Sequence, residues 1–145
     1  MNPFVTCLWF DGDAEEAAKF YCSIFQNSKI HTSSPMSVTF ELDGQRFYAL
    51  NGGPHYKFTP AISLFVSCDT QEEVDRYWDR LLEGGKPTQC GWLDDKFGLS
   101  WQIIPKALME LMSDPDPAKA GRVAQAMMKM VKIDGAELRR AHAGA

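Results

Sequence analysis

The chain lacks the features that would place it in a membrane or on a nucleic acid. No apolar run approaches the roughly 20 residues that a membrane-spanning helix needs. The formal net charge is −4 and no basic run occurs, which argues against a nucleic-acid-binding surface. The N-terminus has no basic patch followed by an apolar segment, so we expect no secretion signal and a cytoplasmic location. Neither a membrane nor a nucleic acid is therefore an expected partner.

The four cysteines form no Cys-x-x-Cys pair, and they stand at Cys7, Cys22, Cys68 and Cys90. Structural zinc sites favour such close pairs, so a zinc site is not expected. A chain of 145 residues without a secretion signal does not need disulfides to stabilise it. We expect four reduced thiols, most of them buried as small apolar side chains.

The sequence also has no recognisable catalytic constellation. Asp94 and Asp95 are adjacent, so on a strand they would point to opposite sides and could not share a proton, whereas in a turn they would serve its backbone. No Gly-x-Gly run follows a strand, as a turn for a nucleotide-like cofactor would require. The catalytic residues are therefore unknown, and whether the chain is an enzyme stays open.

What the sequence does contain is a similarity to itself at an offset of 57 residues. Thr6 to Phe25 aligns without a gap on Ser63 to Leu82, with the same polarity and apolar spacing. Such a repeat indicates two copies of one supersecondary unit, and the seam between copies is a natural place for a pocket. We predict one domain over 1–145, made of repeats at about 1–56 and 57–106 with a C-terminal helical extension at about 107–145.

Each repeat is predicted to contain a strand, a helix and then several strands. Asp13 with Glu16, and Thr70 with Glu73, have the pattern of a helix-capping box. Asp43-Gly44 is a strong hairpin signal. These boundaries predict strands at 4–10, 38–42, 46–50, 61–68 and 99–104, a strand near 92, and C-terminal helices over about 118–131 and 136–142.

Several strings together resemble one branch of the vicinal oxygen chelate superfamily, also called the glyoxalase/bleomycin-resistance/dioxygenase fold. They are FDGDAEEAAKFY (10–21), LNGGP (50–54), QEEVDRYWDRL (71–81), GG (84–85), CGWLDDKFGLSWQIIP (90–105) and DPDPAKAGRVAQAMMKM (114–130). The branch is the PhnB-like one, often labelled a 3-demethylubiquinone methyltransferase domain. The resemblance implies an α+β fold in which tandem βαβββ units form a cupped, eight-stranded mixed sheet, followed here by C-terminal helices.

The resemblance also implies where a divalent metal would bind, because superfamily ligands come from the first and last strand of each unit. Those positions fall near Thr6, Ala49, Ser63 and Gln102, with Tyr48 or Asn51 replacing Ala49 if the hairpins differ by a residue. Hydroxyls, a methyl group and an amide are poor ligands for a firmly held divalent metal. We therefore expect no metal ligands and no cofactor, and weak divalent metal binding stays open.

The sequence supports a protein that binds a small organic ligand, aromatic or quinone-like, in the cup of the sheet. Polar contacts and flat rings on or beside the strands would orient such a ligand, although a given Trp is more often core. The candidates are Thr6, Trp9, Tyr48, Asn51, His55, Ser63, Trp92, Trp101 and Gln102. The alternatives are a non-catalytic binding or sequestering dimer and, as the family label says, a quinone-precursor methyltransferase. A homodimer is expected, with the Met-rich 118–142 region covering the sheet or packing on a second subunit.

Overall fold

The computed structural model describes residues 3–144, and its contacts divide the chain into two compact units. The first unit ends at Phe58 and the second begins at Thr59, so the C-terminal helices belong to the second unit. Within the described part of the chain, no helix is long and apolar enough to cross a membrane.

The first unit consists of one helix and a four-stranded mixed sheet. Its elements are β1 (Thr6–Phe10), α1 (Ala14–Cys22), β2 (Lys29–Ser33), β3 (Ser37–Leu42) and β4 (Gln45–Asn51). The strand order is β1-β4-β3-β2, in which β1 and β4 are parallel and the other neighbours are antiparallel. The β3–β4 hairpin turns at Asp43-Gly44, as predicted, and both residues have positive φ.

The second unit repeats this topology and adds three helices. Its elements are β5 (Ser63–Cys68), α2 (Gln71–Leu82), β6 (Lys86–Pro87), β7 (Trp92–Asp94), β8 (Ser100–Pro105), α3 (Lys106–Met112), α4 (Pro117–Met128) and α5 (Gly135–Ala143). The strand order is β5-β8-β7-β6, with β5 and β8 parallel. The α+β class and the two sets of four strands confirm the predicted fold. Helix α3 falls within the predicted C-terminal helical extension, although no separate helix with these bounds was predicted.

The core of each unit lies on one face of its sheet. In the first unit α1 packs on β3 and β4, where Tyr21, Phe40 and Phe47 form a stack of rings. In the second unit α2 packs against β7 and β8, and Leu93 and Trp101 are fully buried on the shared face of those strands. Alternation along the strands leaves the opposite face of each sheet free of these helices.

The C-terminal helices cover part of the second sheet. Ile104 lies on the face of β8 that α2 does not cover, and it belongs to an apolar cluster built by the C-terminal helices. That cluster contains Ile104, Leu108, Val123, Met130, Ile133 and Leu138. The 118–142 region therefore covers one end of the second sheet, which is one of the two roles predicted for it.

The start of α1 departs from the predicted capping box. The Asp13 side chain makes no capping bond, and the Asn51 side-chain oxygen instead accepts a hydrogen bond from Ala14 N at 3.0 Å. In the second unit the predicted cap is confirmed, since Thr70 Oγ1 accepts from Glu73 N at 3.2 Å. The same helix end is thus capped from a distant strand in one unit and locally in the other.

The repeats also differ by one residue between strand and helix. Two residues separate β1 from the cap at Asp13, whereas only Asp69 separates β5 from Thr70. The ungapped offset of 57 therefore holds for the helices, but the buried positions of the strands correspond at an offset of 58. A slip of one residue moves every strand side chain to the other face of the sheet. The offset of 57 therefore aligns residues of β1 with residues of β5 whose side chains lie on the opposite face.

Candidate functional site

The face of the first sheet that α1 does not cover is lined by polar side chains. Cross-strand pairing aligns Cys7 of β1 with Tyr48 of β4, and Tyr48 with Thr39 of β3. The next row pairs Arg46 with Glu41. Directly opposed side chains on one face lie close enough to contact a common ligand. We call this surface, made of Cys7, His31, Thr39, Glu41, Arg46 and Tyr48, the first open face.

His31 reaches the first open face because β2 is irregular at that point. The pairing of β2 with β3 shifts between Ile30 and Thr32, so His31 is the extra residue of a β-bulge. Its Nε2 lies 2.6 Å from Glu41 Oε1. A carboxylate in this position holds the ring and, when Nε2 carries the proton, leaves Nδ1 as the unprotonated nitrogen. The bulge therefore places a strand histidine on the first open face, with its ring held by the Glu41 carboxylate.

A concavity of about 360 Å³ lies over these side chains. Its lining residues are Val5, Cys7, His31, Thr39, Phe40, Arg46, Phe47 and Tyr48. Tyr48 is 37% exposed, so part of its ring is accessible to a ligand. Among residues 3–144, the Arg46 guanidinium and the Tyr48 hydroxyl have no hydrogen-bond or ion-pair partner. The concavity thus offers a cation, a phenol and a histidine whose ring is bonded to Glu41 beside it.

Cys7 is an exposed thiol in this group, contrary to the expectation that the cysteines are mostly buried. Only Cys68 is buried, and its burial raises its pKa to about 12, while Cys22 and Cys90 are partly exposed. Partial desolvation also raises the pKa of Cys7 above its usual value. Since a thiolate is the nucleophilic form, Cys7 lines the concavity as a neutral thiol rather than as an activated nucleophile.

Trp9, Asn51 and His55 do not line that concavity. Trp9 shares the face of Cys7 on β1, but the loop that follows β4 packs over its ring. Trp9 lies under this loop, donating from Nε1 to the Gly53 carbonyl at 2.9 Å and packing edge-on to Tyr56. Asn51 uses its amide to cap α1 and to donate to the Pro35 carbonyl. His55 is exposed in the loop. The predicted set in this unit is therefore not brought together as one site.

Thr6 and Ala49 face the helix-covered side of the first sheet. They alternate with Cys7 and Tyr48 and share the face of the buried Leu8 and Phe47. This placement corrects the expectation that Thr6 and Ala49 occupy ligand positions. For Thr6 the cause is the extra residue before Asp13, which makes Cys7 the counterpart of Phe65. For Ala49 the cause lies in the hairpin: Tyr48 pairs with Cys7 as Gln102 pairs with Phe65, so Tyr48 is the counterpart of Gln102.

In the second unit, Ser63, Trp92 and Gln102 lie on the face opposite α2. Gln102 pairs with Trp92 across the strands and donates from Nε2 to Ser63 Oγ at 3.0 Å. A second concavity, of about 410 Å³, lies beside Trp92. Its lining residues are Pro60, Thr88, Gln89, Cys90, Trp92 and Asp94. On the same face Ser100 Oγ donates to Asp94 at 2.8 Å, and Gln89 Nε2 donates to the Met128 carbonyl at 3.2 Å.

Trp101 is part of the core and is not on the surface of the second sheet. Its ring is 2% exposed, and its Nε1 donates to Asp95 Oδ2 at 2.9 Å. Asp95 Oδ1 also accepts from the backbone N–H groups of Phe97 and Leu99. The Asp-x-x-Gly turn therefore uses a buried carboxylate to organise its backbone, as expected for an aspartate in a turn.

The residues at the metal positions do not fit a firmly held divalent ion. After the correction in register, the corresponding side chains are Cys7 and Tyr48 in the first unit and Phe65 and Gln102 in the second. A raised-pKa thiol, a phenol, a phenyl ring and an amide are poor ligands for such an ion. In the described range, no three His, Cys, Asp or Glu side chains are grouped so that they could hold a metal.

Sequence reasoning missed Cys7, His31, Thr39, Glu41 and Arg46. The alternation of Arg46 and Tyr48 with buried Phe47 is visible in the sequence, and the Asp43-Gly44 turn fixes the pairing of Arg46 with Glu41. Those two signals predict one face that carries Arg46, Tyr48 and Glu41. The bulge at His31 has no comparable sequence signal, because β2 contains a single apolar residue, Ile30, and therefore no alternation that an extra residue could interrupt.

Comparison with known proteins identifies the family. The sequence model of the 3-demethylubiquinone-9 3-methyltransferase family matches residues 2–104. A Bacillus cereus PhnB protein, named after the same methyltransferase, is 34% identical; the match covers 72% of this chain and 99% of that one, with a TM-score of 0.66. No curated protein matches.

More distant solved structures share the fold alone. The fosfomycin resistance protein FosX from Listeria monocytogenes, complexed with Mn(II) and sulfate, is 19% identical over 69% of this chain and 86% of its own, with a TM-score of 0.53. A glyoxalase/bleomycin resistance protein from Albidiferax ferrireducens is 16% identical over 69% and 95%, with a TM-score of 0.50.

Proposed function

Because this chain belongs to the 3-demethylubiquinone-9 3-methyltransferase family, the PhnB-like branch of the vicinal oxygen chelate superfamily, we propose that it binds a small organic ligand on the first open face. The observation that carries the proposal is the 360 Å³ concavity in which Arg46 and Tyr48 have no bonding partner. A concave site with few polar groups is the usual form of a small-molecule site.

The chemistry of the concavity favours a flat, polar ring. The partly exposed phenol ring of Tyr48 offers a surface for aromatic contact. Arg46 supplies a planar, permanently charged donor for an oxygen substituent. Such a ligand matches the aromatic or quinone-like class expected from the sequence.

Thermal unfolding in the presence of hydroxylated aromatic and quinone compounds tests this proposal. A ligand at ten times its Kd stabilises the native state by roughly 1.4 kcal/mol, which raises the Tm by a few degrees. Tyr48→Ala and Arg46→Gln are expected to abolish the rise. The matched controls Met36→Ala and Lys57→Gln, exposed residues of the same unit, are expected to retain it. A rise that survives both site variants contradicts the proposal.

We do not adopt methyl transfer, the activity that the family name denotes. Gly52 is close-packed, because a Cβ there would lie 2.2 Å from the Trp9 ring, so the Gly-Gly turn serves packing against Trp9. Calorimetry with S-adenosylmethionine is expected to show no saturable heat. Saturable binding would support methyl transfer instead.

We further propose a cytoplasmic homodimer. Exposed methionines at Met109, Met112 and Met128 on the C-terminal helices support an apolar contact between subunits. Light scattering is expected to give twice the chain mass, and Met128→Asp is expected to reduce it. A monomer at all concentrations contradicts the dimer.

A further inference from the structure

Resting on the proposed function, we propose that the first open face selects a ring that carries an acidic hydroxyl, such as a phenol or an enol, and binds it as the oxyanion. His31 takes the proton and Arg46 stabilises the anion. The juxtaposition of an oriented histidine–glutamate pair with an unpaired guanidinium in one concavity carries this inference.

The proton moves from the ligand hydroxyl to His31, and both groups lie in the same site. The ligand O–H bond breaks, its electron pair stays on oxygen, and an N–H bond forms at the unprotonated ring nitrogen of His31. The Glu41 carboxylate, 2.6 Å from the other ring nitrogen, stabilises the imidazolium that results. No oxidant, reductant or metal is required.

The charges around His31 decide which form of the ligand is favoured. In the sheet register, Glu41 lies opposite Arg46 of β4 on one side and opposite Lys29 of β2 on the other. Once His31 is protonated, it neutralises Glu41, and the guanidinium of Arg46 remains available for the new oxyanion. An opposite charge close by favours the charged form of an acid. A ring without an acidic group can accept hydrogen bonds from Arg46 but offers no anion for the guanidinium to stabilise.

Spectrophotometric titration with 4-nitrophenol tests the inference, because its neutral and anionic forms absorb differently. Nitrobenzene, which has the ring but no hydroxyl, is the matched probe. We expect the wild-type protein to lower the ionisation midpoint of bound 4-nitrophenol by about one pH unit. Nitrobenzene is expected to bind more weakly.

Variants of His31 and Arg46 separate the contributions of these two side chains to the midpoint shift. His31→Gln keeps an amide that can donate to Glu41 but removes the proton acceptor, and Arg46→Gln removes the positive charge. Each is expected to reduce the shift of the midpoint by at least half, and Arg46→Lys is expected to restore part of it. Lys57→Gln, which removes a charge elsewhere in the unit, is expected to leave the shift unchanged.

The outcomes distinguish this inference from the proposed function. If 4-nitrophenol and nitrobenzene bind equally well and the midpoint does not move, the face binds rings but does not ionise them, and the inference is wrong. An unaltered midpoint shift in Arg46→Gln also overturns it. If neither compound nor the wider ligand panel binds, the proposed function fails, and the inference fails with it.

Discussion

The two sheets share one strand order but use their polar side chains differently. In the second unit, Gln102 bonds Ser63, Ser100 bonds Asp94, and Trp101 bonds Asp95. In the first unit, Arg46 and Tyr48 point into a concavity without such partners. A buried polar group must be bonded to avoid a desolvation cost, whereas an exposed one remains available. The repeat therefore preserves the strand order, while the unpaired guanidinium and phenol in the concavity belong to the first copy.

Substitution of the buried carboxylate of the second unit, Asp95, is expected to have the largest effect on stability. Asp95→Asn can accept hydrogen bonds on only one side, so either the indole or the two backbone N–H groups lose their acceptor. We expect the free energy of unfolding to fall by roughly 3 kcal/mol. Glu41→Gln, the matched change on the first open face, is expected to cost less than about 1 kcal/mol. Urea unfolding of both variants measures the contrast, and equal losses would contradict it.

The helix caps of the two units can also be compared by their contribution to stability, and the expected effects are smaller. Asn51→Ala removes the acceptor for Ala14 N, and Thr70→Ala removes that for Glu73 N. Each is expected to lower the free energy of unfolding by about 1 kcal/mol. Asp13→Ala is the control, since its side chain makes no capping bond. A loss in Asp13→Ala as large as that in Asn51→Ala would show that the cap is local after all.

The smallest expected effect is a loss of stability at low pH that depends on Asp114 of the second unit. The backbone N–H of Asp116 and the side chain of His142 hold the pKa of Asp114 below its usual value. A depressed folded-state pKa gives stability that is present above the unfolded value near 3.9 and is lost as the pH falls through the folded value. Wild type is therefore expected to lose more stability than Asp114→Asn between pH 6 and pH 3. Parallel losses in urea unfolding would contradict this.

The sequence was sufficient for the fold because its signals are local. The capping box at Thr70, the Asp43-Gly44 turn and the apolar stripes each fix one element. The family strings then predicted how these elements are arranged. Sequence reasoning failed where one residue changed a register. The extra residue before Asp13 made Thr6 look like a site residue, and a one-residue difference in the hairpin comparison put Ala49 in the place of Tyr48, although Thr6 and Ala49 both face the helix.

The candidate site was only partly predictable. Tyr48 was among the candidates because it is an aromatic residue on a strand, and it does line the concavity. His31 could not be assigned, since its position depends on a bulge that is defined only by pairing with β3. Contacts made by pairing between strands are not encoded in any single segment.

Backbone amide chemical-shift mapping with 4-nitrophenol tests the central claim most directly. We predict saturable shifts at Cys7, Thr39, Arg46 and Tyr48, with little change at Trp92 and Gln102 of the second sheet. Arg46→Gln is expected to weaken the shifts, while Lys57→Gln is expected to leave them unchanged. Shifts concentrated around Trp92, or the same shifts in Arg46→Gln, would contradict the assignment of ligand binding to the first open face.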